Sequence, residues 1–316
     1  MSQHANFVQV HLGKSVPPHL YEQLRQTRLI NPSEQIYLIL SEGAEADIKV
    51  LRALDVVVVR RESLVPCQNH KDFLRRNRFS KKSLGGFWLF TSERFYAIES
   101  FLRAFRIENI IHSENDVMLY ESAGRLLPSL ITHCPRIGVT MDADTRCVPG
   151  FVFIRDYDAL STMNEFIIRK ALRSTKNDMR AIAVFMNQGS VGSCSALPVI
   201  PSVYRKAYPL INAEGERGER PWYDEAFGVF GGVFDAAALG QYLGGIDPKI
   251  SDSDTRGFIS ETAVYDPRNF NLHWKTESGL RKPYGTVGDV EFPIFNLHIH
   301  SKRLAEFSST VTDGKA

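Results

Sequence analysis

The sequence predicts an α/β fold, a Rossmann-type mixed sheet flanked by helices and built as one domain over residues 1–316. Three observations predict it. Ile36 to Leu40 and Val56 to Val59 are short continuous apolar runs, and Phe7 to Leu12 alternates and is rich in β-formers; the continuous runs suit strands buried on both faces of a parallel sheet. Segments with helical spacing separate them, which gives the strand–helix–strand order of a Rossmann-like half. At 316 residues and 43% hydrophobic content, the chain is long enough to bury a large α/β core.

The elements follow in order. The first strand ends at Gly13. Pro17 and Pro18 then start a helix whose apolar face is Leu20, Tyr21 and Leu24. No GxGxxG follows the first strand, so nothing supports a dinucleotide fingerprint. Residues 70–82 form a basic run with Lys71, Arg75, Arg76, Arg78, Lys81 and Lys82. It reads as a solvated helix face or as a contact to phosphates or anionic lipid headgroups. Thr91 or Ser92 caps the next expected helix, with Phe95, Ile98, Leu102 and Phe105 at core-facing spacing. Leu126 to Ile131 and Ala159 to Leu172 read as helices, and Arg136 to Met141 and Phe151 to Ile154 as strands. From about Ser190 the composition shifts to Gly, Pro and Ser, and 211–225 is polar enough to be a loop or lid.

Asn109 to Tyr120, NIIHSENDVMLY, is the stretch that carries chemistry. An apolar strand breaks into a polar cluster and resumes at Val117. Glu114 and Asp116 therefore sit at the carboxyl end of a buried strand, where open α/β sheets place ligands. Such oxygen ligands suit Mg²⁺ or Mn²⁺. The structural alternative is a solvated turn. Two later stretches add candidates. Gly231 and Gly232 let backbone approach a ligand closely, and Asp235 stands at the start of an expected helix, Ala236 to Leu243, where an N-cap is the common use of Asp. In Phe292 to Leu304, His298 and His300 alternate with apolar residues and share one face of an extended segment. Neutral imidazoles ligate metals, and Lys302 can hold a diphosphate as a point charge; His300, nearer Lys302, is the preferred ligand of the two.

These motifs, in this order, resemble the GT-A-fold glycosyltransferases, and the resemblance runs from about Phe7 to Leu304. Glu114-Asn115-Asp116 is similar to the family's Asp-x-Asp signature, with Glu one methylene longer at the first position. Asp142-Ala143-Asp144 matches that signature more closely by residue type, but it is followed by the loop-like TRCVPG, so the first pair is the expected site. The resemblance implies a nucleotide-diphosphate-sugar donor and Mn²⁺ or Mg²⁺ held by Glu114 and Asp116. It also implies a histidine, His300 or His298, as metal or diphosphate ligand near the end of the domain. Asp235 is then the general base if the reaction inverts. Residues 1–120 become the nucleotide-binding half and 121–316 the acceptor-binding half, with a glycan, lipid-linked saccharide or surface polysaccharide accepting a hexosyl or related group.

Other classes are disfavoured. The formal net charge is only +2, so there is no global electrostatic case for nucleic acid. Cys67, Cys134, Cys147 and Cys194 form no CxxC pair and read as reduced thiols. MSQHANFVQV lacks the pattern of a signal peptide, and no stretch approaches a membrane span, so the expected place is the cytoplasm, with peripheral membrane contact through the basic run. A sugar nucleotidyltransferase needs a glycine-rich, basic loop after the first strand, and HLGKSVPPHL has one Gly and one Lys. A non-catalytic carbohydrate-binding protein of the same fold is the remaining alternative.

Overall fold

Asn6–His11 forms β1, and its alternation is used on both faces of the sheet. Val8 and Val10 enter one core and Phe7 enters the other. The computed structural model describes residues 4–79, 83–175, 177–210, 220–251 and 253–310. Lys81, Lys82 and residues 211–219 of the expected polar loop lie outside them.

Pro18 occupies the first turn of α1, Pro18–Ile30, where a missing N–H costs nothing. The chain continues through β2 (Gln35–Leu40), α2 (Ile48–Ala53), β3 (Val56–Arg60) and α3 (Gln68–Arg76). Helix α4 spans Phe87–Phe105 and begins a turn earlier than the Thr91 or Ser92 cap expected from sequence. Its cap is Gly86, with φ of 85°, and buried Leu89 extends the apolar face backwards past Thr91. Phe95, Ile98, Phe101 and Leu102 are buried, each contributing about 1.5–3 kcal/mol. Phe105 is half-exposed, unlike the core role its spacing suggests.

Next come β4 (Ile110–Ser113), β5 (Val117–Leu119), α5 (Ala123–His133), β6 (Ile137–Ala143) and β7 (Arg146–Ile154). Strands β6 and β7 form a hairpin, so TRCVPG is mostly strand and not loop. Cys147 and Val148 are buried there, and that burial makes the strand. Then follow α6 (Tyr157–Phe166), α7 (Asp178–Gln188), β8 (Ser195–Leu197), α8 (Tyr204–Ala207), α9 (Phe227–Phe230) and α10 (Ala238–Gly244). The last strands are β9 (Asn271–Glu277), β10 (Leu280–Val287), β11 (Val290–Pro293) and β12 (Asn296–His298).

Among the described residues the main sheet has seven strands in the order β3-β2-β1-β4-β7-β6-β8. Neighbours are parallel except where β7 runs against β4 and β6. Both halves of the chain contribute to this one mixed sheet. From β1 the chain goes to β2 on one side and later to β4 on the other. A crevice at the carboxyl ends of β1 and β4 is therefore the switch point where such sheets bind ligands. β9, β10 and β11 form a separate antiparallel sheet, and β5 pairs antiparallel with β12. No described helix is long and apolar enough to cross a membrane.

Candidate active site

The pairing of β5 with β12 builds the site. Its register sets His298 opposite Val117, and the Ile299 N–H donates to the Asp116 carbonyl at 2.8 Å. Two segments about 180 residues apart in sequence thus meet at the end of β4. Glycines allow this approach. A Cβ on Gly240 would fall 2.2 Å from the His298 carbonyl oxygen, and one on Gly150 would fall 2.7 Å from His298 Nδ1. The first turns of α10 and one edge of β7 can lie against His298 only because those positions lack side chains.

His298 is the hub. Its Nδ1 lies 2.9 Å from the Ala236 carbonyl, which can only accept, so Nδ1 carries a proton. Its Nε2 lies 3.1 Å from both Asp116 Oδ1 and Glu114 Oε2 and donates to them. The ring is therefore an imidazolium. Burial opposes that charge, but the two carboxylates outweigh it and raise the pKa to about 10.

The carboxylates are held on their far sides as well. Glu114 pairs with Arg94 at 2.5 Å, and Arg94 pairs with Asp178 at 2.9 Å. Burial alone would raise Glu114, yet Arg94 and His298 bring it down to about 2. Asp116 also pairs with Lys302, whose ammonium lies 3.7 Å from Asp247. Lys302 and His298 hold Asp116 well below the usual carboxylate range against the effect of burial. Four carboxylates and three cations thus alternate from Asp178 to Asp247. Lys302 has φ of 62°, a left-handed conformation that is strained for a side-chain-bearing residue and is typical of functional sites.

His300 lies beside this chain, its ring centroid 4.3 Å from that of His298. Its Nδ1 is 2.7 Å from the Gln241 amide nitrogen. Burial and the neighbouring imidazolium lower its pKa to about 3, so it is neutral and a competent ligand. Ligand atoms of Asp116, His298 and His300 lie within 4.8 Å of one another. A carboxylate with two imidazoles suits a divalent transition ion such as Mn²⁺, provided His298 gives up its Nε2 proton to the ion. His19, at the start of α1, feels the charges of Asp116, Lys302, His11 and Asp247, and burial brings it down to about 4. The Asn115 amide donates to His11 Nδ1 at 3.3 Å.

Sequence reasoning ranked His300 above His298; in the fold His298 contacts both acidic residues and His300 contacts neither directly. The reason is register, since His298 is the residue paired across from Val117. Asp235 is also placed differently. The helix begins at Ala238, not Ala236, with Ala237 as its cap. Asp235 is fully buried and its carboxylate accepts from Leu239 N at 3.0 Å, Gly240 N at 2.8 Å and His298 N at 2.9 Å. Burial raises its pKa, while these donors and the His298 charge oppose the rise. It ties α10 to β12. Gly231 and Gly232, expected to admit a ligand, meet needs of the chain itself. Gly231 ends α9 with φ of 66°, and a Cβ on Gly232 would strike the Phe295 ring at 2.4 Å.

Asp142 and Asp144 lie elsewhere. Asp142 is buried in β6 and paired with Arg146 across the hairpin, and Asp144 accepts from the Tyr223 hydroxyl at 2.5 Å. The residues missed from sequence are Arg94, Asp178, Gln241, His19 and the two packing glycines. Arg94 carries no local signal, because its partners lie 20 and 84 positions away.

No protein-family model matches the chain, and no curated protein matches it. Solved structures do align with it. Mouse xyloside xylosyltransferase in its apo form is 10% identical over 64% of this chain and 90% of its own, with a TM-score of 0.43. The galactosyltransferase LgtC in complex with donor and acceptor sugar analogs is 12% identical over 69% of this chain and 81% of its own, with a TM-score of 0.38. A cytidylyltransferase from Leptospira borgpetersenii is 10% identical over 63% and 76%, with a TM-score of 0.37. These are likenesses between folds.

Proposed function

We propose that the protein is a glycosyltransferase that moves a sugar from a nucleotide-diphosphate donor to a hydroxyl acceptor. The observation that carries this reading is the meeting of Glu114 and Asp116 with His298, His300 and Lys302 at the sheet's switch point. In glycosyl transfer from such a donor, negative charge develops on the departing diphosphate and positive charge on the sugar ring. The site offers groups for both. Lys302 and the His298 imidazolium place two positive charges beside Asp116, and Lys302 is the one that can turn toward the phosphate oxygens. Arg94 keeps Glu114 ionised and holds one of its oxygens while the other meets His298.

Asp116 and the neutral His300 would hold a divalent cation, Mn²⁺ or Mg²⁺, with His298 joining them on giving up its Nε2 proton and Glu114 beside it. When bound, such an ion supplies Lewis-acid stabilisation of the leaving diphosphate. Lys302 and His298 Nε2–H already contact Asp116, so ion and side chains compete for the same oxygens, and Lys302 is the group free to turn toward phosphate. Asp235 acts by positioning, since a general base must reach the acceptor hydroxyl and both its oxygens are engaged by backbone N–H groups. The first half of the chain, with β1, α1 and β4, would take the nucleotide, and the second half the acceptor. The four cysteines are all free thiols, which supports a reducing compartment such as the cytoplasm.

The test is a thermal-shift panel of nucleoside diphosphates and nucleotide sugars with and without Mn²⁺, followed by donor-sugar hydrolysis. Ligands of the native state raise the apparent melting temperature by mass action. A metal-dependent shift with one nucleotide sugar, together with its hydrolysis, is the expected result. A shift without hydrolysis or transfer assigns the fold to a non-catalytic sugar-nucleotide binder. Turnover of a nucleoside triphosphate with a sugar phosphate assigns it to nucleotidyl transfer.

A further inference from the structure

The basic run singled out in the sequence is not used by the site, yet the fold places it at the site's rim. Helix α3 packs antiparallel to α4. Cys67 N donates to Ser100 Oγ at 3.1 Å, His70 Nε2 meets Glu93 at 3.1 Å, and the Phe73 ring stacks on Tyr96 at 4.4 Å. The carboxyl end of α3 therefore lies toward the start of α4. Helix α4 in turn reaches the site through Arg94. Phe87 precedes Arg94 by two turns, so the amino end of α4 lies roughly 10 Å along the helix axis from the residue that meets the site. Arg75, Arg76, Arg78, Leu74 and Phe87 thus gather at the same end of the molecule as the crevice.

Their exposure suits a surface partner. Lys71, Arg75, Arg76 and Arg78 are exposed, Leu74 is 43% exposed and Phe87 47%. Among the described residues Asp72 offsets one of these charges, through its 2.7 Å pair with Arg75. Cationic side chains interleaved with apolar ones match an anionic bilayer, where the cations meet headgroups and the apolar groups enter the interface.

We infer that this rim docks the protein on an anionic lipid bilayer with the crevice turned toward the membrane, so that the acceptor is carried at the bilayer surface. The acceptor clause rests on the glycosyltransferase reading; the docking clause does not. Co-sedimentation with phosphatidylcholine vesicles, with and without phosphatidylglycerol, tests it. Binding is expected only with the anionic lipid, at low salt, and with a blue shift of tryptophan emission from Trp88 beside Phe87. Each basic group near the surface changes partition by about fivefold, so R75Q/R76Q/R78Q should lose roughly a hundredfold. F87S should abolish the emission shift. K49Q/R52Q, on α2, should bind as the parent does, and circular dichroism checks that each variant is folded. Absence of binding at low salt, or equal loss in the α2 control, overturns the inference. Complete displacement by heparin without any emission shift also overturns it and makes the face a site for soluble polyanions. None of these readouts uses the donor, so docking and glycosyl transfer fail separately.

Discussion

The chain has two acidic pairs with the same spacing, and the fold treats them in opposite ways. Asp142 is answered within its own hairpin, by an arginine four residues on, and Asp144 by the neutral Tyr223 hydroxyl. Glu114 and Asp116 are closed by Arg94, His298 and Lys302, which come from helix α4 and from the far end of the chain. A carboxylate answered by a local cation, as Asp142 is by Arg146, forms its ion pair with the hairpin that contains it. A carboxylate answered by distant cations exists only in the finished fold, beside a crevice. By residue type the Asp142 pair matches Asp-x-Asp more closely; the distant charged partners of Glu114 and Asp116 make that pair the candidate site.

The sharpest way to break this comparison is to neutralise one member of each pair. Asp116→Asn is expected to lower donor-sugar turnover on the order of a hundredfold or more, with the protein still folded by circular dichroism. Asp142→Asn is expected to leave turnover per folded molecule near the parent value while denaturant titration shows a loss of about 1–3 kcal/mol, because Arg146 loses its ionic partner. The reverse pattern would move the active site to the hairpin.

A smaller effect is expected at Asp235. Asn offers one acceptor oxygen where three backbone N–H groups now donate, so Asp235→Asn should cost about 1–3 kcal/mol and lower the melting temperature. Its transfer rate should fall only a few-fold. Near-total loss of transfer with an unchanged melting temperature would return Asp235 to the role of general base.

The mildest test is pH. His298 has its pKa raised to about 10 from 6.5, so the stability it contributes is fully present below 6.5 and lost as pH rises through 10. Glu114 has its pKa lowered to about 2 from 4.5, so its contribution is present above 4.5 and lost as pH falls toward 2. The stability gap between the parent and His298→Gln should be widest between those two ordinary values and should narrow toward alkaline pH. A gap that widens above neutrality would mean that His298 is neutral in the fold.

Some of this was legible locally. The strands β1, β2, β3 and β4, the carboxylates at the end of β4 and the shared face of His298 and His300 follow from periodicity over a few residues, which the backbone geometry enforces wherever the segment lies. The start of α4 was misplaced because Thr91 and Ser92 satisfy a cap's chemistry, while the burial of Leu89 that extends the helix is a tertiary fact. Asp235 was misplaced by two residues for a similar reason: its partners include His298 N, which no local pattern reveals.

By itself the sequence determined the α/β class, the order of the Rossmann-like half and which residue types could meet a diphosphate. Short-range sterics and side-chain period suffice for that. The tertiary structure decided which partners each acidic pair meets, which histidine lies between Glu114 and Asp116, and which donors Asp235 accepts from. Those properties depend on charges and N–H groups brought together from residues 94, 116, 178, 235, 298 and 302, and on the low-polarity surroundings that make each contact strong. Neither the company nor the burial exists until β12 has paired with β5.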